Sequence, residues 1–219
     1  MPPKAKYTRD EIIAIAYELV REQGAGALTA REVAKRLGTS PSPIFALFRD
    51  MEELKTAVKE RAAACFGGYM ADAEQFHPAY KRRGMQWVKF AQEEPMLFQL
   101  LFMQDTHGVD LDTALRKIPF DADTDIAIIM QDYHATQAQA EHLFRQMWIY
   151  TYGMCTLCAA KVCAFTEQEI AMRLGEIFQG MIFVLRVDKA REASVRPVAR
   201  DSADGRELQR NSPDLSRGS

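Results

Sequence analysis

Between Leu28 and Leu54 the chain places hydroxyl and guanidinium groups at the ends of short apolar runs. Thr29, Ala30 and Arg31 open one run; Thr39, Ser40, Pro41 and Ser42 lead into the next, and Phe45 and Arg49 follow. This set suits hydrogen bonding to a phosphate backbone and to base edges rather than bond making. Thr29, with the free N–H groups of a helix start at Ala30, suits a phosphate oxygen. Arg31 is the candidate base reader, because a guanidinium can grip guanine O6 and N7 with two hydrogen bonds. Ser40 and Ser42 suit a phosphate or a base edge, Ser40 equally a helix cap, and Thr39 is expected to face the groove. Phe45 can touch a thymine methyl or simply be buried. Arg49 suits a phosphate or open solvent, whereas Lys35 and Arg36 read as a solvated face.

The elements that must hold these groups follow from local signals. Thr8 with Glu11 is a capping box for a helix buried through Ile12, Ile13, Ala16, Leu19 and Val20 and ending near Gly24. Thr29 with Glu32 starts a second helix that buries Val33, Ala34 and Leu37 and stops at Gly38. Ser40 is expected to cap a short third helix with Pro41 at its first position, burying Ile44, Leu47 and Phe48. Asp50 and Glu53 repeat the capping arrangement for a helix from Met51 to about Asp72. Two helices joined through a short turn at Gly38 give a helix-turn-helix, whose second helix fits a major groove.

These residues resemble the TetR/AcrR family of bacterial transcriptional regulators. The resemblance rests on Thr8 to Gly24, on T-A-R-E-V-A-K-R-L-G at Thr29–Gly38 and on S-P-I-F-A-L-F-R-D-M-E-E-L at Ser42–Leu54. Trp87–Met103 and W-I-Y-T-Y-G at Trp148–Gly153 resemble a regulatory-domain variant in which a Trp precedes a His-Gly pair; Tyr152 stands here where that pattern has His. Phe45, Ala46 and Met51 occupy positions where relatives often carry Tyr, His and Lys that grip phosphates. Fewer phosphate contacts imply weaker binding and a shallower salt dependence.

The rest of the chain reads as helices: 78–93, 95–103, a short acidic helix and loop over 110–125, 126–134, 137–164, and a last helix capped by Thr166 and Glu169. No segment reads as a strand. The expectation is an all-α protein with a helix-turn-helix head over residues 1–54, a larger helical regulatory and dimerisation domain over 55–190, and a disordered tail over 191–219, where few apolar residues remain. Charge changes sign along this division. Residues 1–61 hold 11 Lys and Arg against 9 Asp and Glu, or +2; residues 62–188 hold 10 against 16, or −6; residues 189–219 hold 7 against 5, or +2. A head this weakly basic must bind through a few placed cations, helix N-termini and dimerisation. The last two helices are apolar over more than one face, and in the resembled family such a pair builds a dimer interface.

Trp87, Phe90, Phe98, Phe102, Met103, Met147, Trp148 and Tyr152 are candidates to line an effector pocket, since Met and aromatic side chains adapt to varied shapes; each could equally fill the core. An apolar or aromatic effector is the default, and the surplus acid of this domain permits a cationic one. Cys155, Cys158 and Cys163 lie close in sequence, with the first two on one helical face. They read as small packed residues, with a thiol switch as the alternative. His134 and His142 form no constellation with them, so no catalytic residue, metal ligand or cofactor is expected. Met1-Pro-Pro-Lys leads into a capped helix rather than a signal-peptide core, and no apolar run has membrane-spanning length, which points to the cytoplasm.

The function expected from the sequence is a ligand-responsive homodimeric regulator, a repressor as is usual in the resembled family, released from a palindromic operator by a small effector. The competing readings are a helical interaction protein whose head no longer reads DNA, and a thiol-based redox sensor.

Overall fold

The computed structural model describes residues 7–73, 76, 78–105, 107–118 and 121–195. Among these there are ten α-helices, one 3₁₀ turn and no strand. The head comprises α1 (Arg9–Gln23), the turn Ala25–Ala27, α2 (Ala30–Leu37), α3 (Ser42–Leu47) and the start of α4 (Met51–Ala73). There follow α5 (Ala79–Glu93), α6 (Pro95–Phe102), α7 (Leu111–Lys117), α8 (Ala122–Tyr133), α9 (Gln137–Ala159) and α10 (Glu167–Val195).

Local chemistry starts and stops these helices. Thr8 accepts from the Glu11 N–H while Glu11 reaches back to the Thr8 N–H at 2.7 Å, closing the box of α1. Thr29 accepts from Glu32 N–H at 3.3 Å, Asp50 from Glu53 N–H at 2.9 Å, and Thr166 from Glu169 N–H at 3.2 Å. Gly38 closes α2 at φ 66°, a left-handed conformation that glycine adopts without a Cβ clash. Gly24 ends α1 at φ 83°, and a Cβ there would come 3.2 Å from the Met96 sulfur, so the end of α1 lies close against α6.

Three boundaries differ from expectation. The short third helix begins at Ser42, with Pro41 in the cap position and no side-chain cap. Pro43, three residues after Ser40, has no N–H to offer a Ser40 cap, and the Ile44 N–H already reaches the Pro41 carbonyl at 3.0 Å. α8 begins at Ala122 rather than Ile126, because Asp121 accepts from the Thr124 N–H at 3.2 Å. α9 stops at Ala159, where Lys161 turns left-handed at φ 56° and the Lys161 and Val162 N–H groups bond back to Cys158 and Leu157. The last helix continues to Val195; beyond it, the expected tail lies outside the described residues.

α5 is the central helix, packed against α4, α6, α8, α9 and α10. Its Trp87 and Phe90 meet Phe66 of α4 and Phe102 of α6 with ring centroids 4.9 to 6.5 Å apart, mostly edge to face. α1 bridges the head to this body through α4 and α6. Arg21 of α1 donates to both carboxylate oxygens of the buried Glu94, the residue before α6, at 2.7 and 2.5 Å.

Candidate nucleic-acid interface and regulatory cavity

α2 and α3 each bury one side and expose the other. Val33, Ala34, Leu37, Ile44 and Phe48 enter the core, whereas Thr29, Arg31, Ser40, Pro41, Ser42 and Arg49 are exposed and Ala30 and Thr39 half-buried. Phe45 is 49% exposed, so it is not the buried Phe that the sequence left open. It stands beside the exposed Ala46 on the outer side of α3, a patch that can make apolar contact but cannot form the hydrogen bonds of Tyr and His.

The cations divide clearly. Arg36 pairs with Glu22 at 2.5 Å and Lys35 with Glu32 at 3.7 Å, both on the flank. Arg49 projects into solvent with its Nε donating to Asp50 at 3.0 Å. Arg31 is exposed and has no ion pair among the described residues.

Two positioning residues carry no motif. The Tyr7 hydroxyl donates to the Leu37 carbonyl at the end of α2, at 2.6 Å. Arg9 donates to the Leu47 carbonyl at the end of α3, at 2.9 Å, lies 4.1 Å over the Phe48 ring and pairs with Glu53 at 2.8 Å. The start of α1 thereby satisfies carbonyls at both helix ends and fixes the angle between α2 and α3. Their spacing from the helix-turn-helix is long, so periodicity could not reveal them.

Residues 12–58 match the family model described as bacterial regulatory proteins, tetR family. The head is a TetR-family domain. The chain is accordingly a DNA-binding transcriptional regulator with a helix-turn-helix head and a larger helical domain behind it. No curated protein matches the chain.

Behind the TetR-family head, α5, α8, α9 and α10 enclose a cavity of about 270 Å³. Of the sequence candidates, Trp87, Met147 and Trp148 line it. The others lie elsewhere. Phe90 and Phe98 are fully buried in the core, and Phe102 is wedged between Trp87 and Phe98. Met103 is exposed at the end of α6, and Tyr152 turns its hydroxyl to the Phe102 carbonyl at 3.1 Å. The sequence reading missed Tyr80, Arg83, Asp125, Tyr133, Phe144, Thr151, Leu174 and Phe178, which complete most of the wall.

Arg83 and Asp125 form a buried ion pair in that wall. Burial pushes the Asp125 carboxyl up to about 6 despite the Arg83 charge beside it. Burial likewise raises the Tyr80 hydroxyl well above its ordinary range, so it stays a donor. The indole Nε1 of Trp148 is buried without a hydrogen-bond partner.

The cysteines lie apart from both sites. Cys155 is fully buried and its thiol is raised well above the usual range by desolvation; Cys158 is pushed up to about 11 by the same cause. Both are protonated and weakly nucleophilic at neutral pH. Among the described residues no group of three or more His, Cys, Asp or Glu side chains could hold a metal ion, and no helix is long and apolar enough to cross a membrane.

Proposed function

We propose that this protein is a cytoplasmic, homodimeric repressor that binds a palindromic operator and leaves it when a small molecule occupies the cavity between α5, α8, α9 and α10. The observation that carries the reading is the pairing of a TetR-family head, outward-facing at Arg31, Ser42 and Phe45, with a ring-lined cavity in the domain behind it. Thr29, Ser40, Ser42 and Arg49 bind phosphates, Arg31 reads guanine, and Phe45 packs on a thymine methyl; Ala30, Thr39 and Pro41 shape the surface against the groove.

Dimerisation through α9 and α10 is supported by their outer surfaces. Ile170, Leu174 and Phe178 turn one side of α10 into its own domain, while Phe183 is 68% and Val184 55% exposed. Ile149 and Leu157 are exposed on α9. Apolar surface of this extent on two adjacent helices suits an isologous contact. A dimer couples two weak heads to half-sites one helical turn apart, which offsets the few cations of each head.

An effector acts only by preferring one conformation. Here Glu94 directly follows α5 and holds Arg21 of α1, so a shift of α5 around an occupied cavity is carried to the head. Selection of random duplexes by the purified protein, with sedimentation of the resulting complex, tests this. The expected result is an enriched palindrome bound by two chains; a monomer in complex with no enriched sequence would refute it.

A further inference from the structure

The cavity is chemically one-sided. Its wall carries two cationic side chains, Lys81 and Arg83, against one carboxylate, Asp125, so the lining charge is +1 although the domain as a whole is acidic. Asp125 is already engaged by Arg83. Lys81 has no carboxylate partner among the described residues, whereas Arg82 beside it in sequence pairs with Asp72 and Glu167 at 3.1 and 2.8 Å. The Lys81 ammonium sits against the cavity wall, 3.6 Å from where a Cβ on Gly175 would lie. Lys81 is half-buried, and its unpaired ammonium favours a ligand that brings a negative charge. The remaining wall is aromatic, with Tyr80, Trp87, Tyr133, Phe144 and Phe178 presenting ring edges and faces.

We propose that the effector is an aromatic monoanion, a carboxylate on a flat ring system, with the rings held among the aromatic side chains and the carboxylate at the Lys81 ammonium. The proposal rests on the reading of this cavity as the effector site and narrows it to one charge class, opposite to the cation that the domain's overall charge permits. The volume of about 270 Å³ lies near the small end of ligand pockets, which suits a one- or two-ring compound.

Trp87 and Trp148 are the chain's two tryptophans and both line the cavity, so intrinsic fluorescence reports directly on its occupancy. The test titrates the full chain with 2-naphthoate, 2-naphthamide and 2-naphthylmethylamine, three probes of one shape and different charge. The expected order is carboxylate, then amide, then amine. Lys81→Gln should weaken 2-naphthoate about tenfold and the amide less than twofold, as loss of one charge-assisted hydrogen bond implies, with Lys81→Arg restoring most of the difference. Tightest binding of the amine, no response to any probe, or an unchanged 2-naphthoate affinity in Lys81→Gln would overturn the proposal. The same probes are then added to the operator complex. An amine that releases DNA refutes the anion assignment and leaves the regulator reading standing; a carboxylate that binds without changing operator affinity does the reverse.

Discussion

The Arg83–Asp125 pair makes a quantitative prediction. Each side chain is 7% exposed, so removing one partner strands the other charge in a desolvated wall. Arg83→Met, which leaves the Asp125 carboxylate buried without its cation, should cost about 3–5 kcal/mol, the usual penalty for breaking a buried ion pair. At about 2–4 °C per kcal/mol for a chain of this size, the melting temperature should fall by roughly 6–20 °C. Replacing both groups together, Arg83→Met with Asp125→Leu, removes both desolvation costs and should return stability to the wild-type value or above it. The carboxyl also sets a pH dependence. It is held at about 6 in the folded chain against an ordinary 3.8, so the folded state binds this proton more tightly than the unfolded state. Its favourable contribution is therefore fully present below about pH 4 and is lost as pH rises through 6, a fall of about 3 kcal/mol at most. Surface carboxylates with lowered values, such as Asp121 and Asp50, act in the opposite sense. Subtracting the Asp125→Leu profile from the wild-type profile isolates the buried group. Thermal melts of wild type, Arg83→Met, Asp125→Leu and the double mutant from pH 4 to pH 8 supply the data. Arg83→Met within 2 °C of wild type, or a double mutant no more stable than Arg83→Met, would refute the reasoning.

Three further outcomes follow. Thr29→Ala removes the cap of α2 and should cost about 1 kcal/mol in chemical denaturation, with the loss of operator affinity exceeding that expected from stability alone if the same hydroxyl meets a phosphate as proposed. A thiol reagent at neutral pH should label the exposed Cys163 first and Cys155 only on unfolding; rapid labelling of Cys155 would revive the redox reading. Phe45→Ala should leave the melting temperature unchanged within 2 °C, since the ring is half exposed, while weakening binding at thymine-containing positions of the site.

The helical head was legible because its signals are local. Thr8 with Glu11, Thr29 with Glu32, and Asp50 with Glu53 each fix a helix start within four residues, and Gly38 fixes the turn. The misplaced boundaries share a different cause. Ser40 has the right residue type for a cap, but Pro43 removes the donor it would satisfy. Lys161 ends α9 in a left-handed conformation with no glycine to signal it. The cavity was legible only in part. Trp87, Met147 and Trp148 stand out by type, yet aromatic residues in the same segments, Phe90 and Phe98, interlock in the core instead. Arg83 and Asp125 come from helices far apart in sequence, and only packing of α8 against α5 and α9 shows that they meet. The proposed dimer surface rests on residues such as Phe183 that the fold leaves exposed, which periodicity could not separate from core.

The most direct test of the central claim is the sequence preference of Arg31→Ala, measured by titrating the selected duplex and its single-base variants at several salt concentrations. The account predicts that the mutant stays folded and dimeric and loses discrimination at one symmetry-related pair of guanine positions, by about 1–3 kcal/mol. Unchanged discrimination at every position, or a uniform loss with no position singled out, would contradict the assignment of Arg31 as the base reader and of this head as a sequence-specific one.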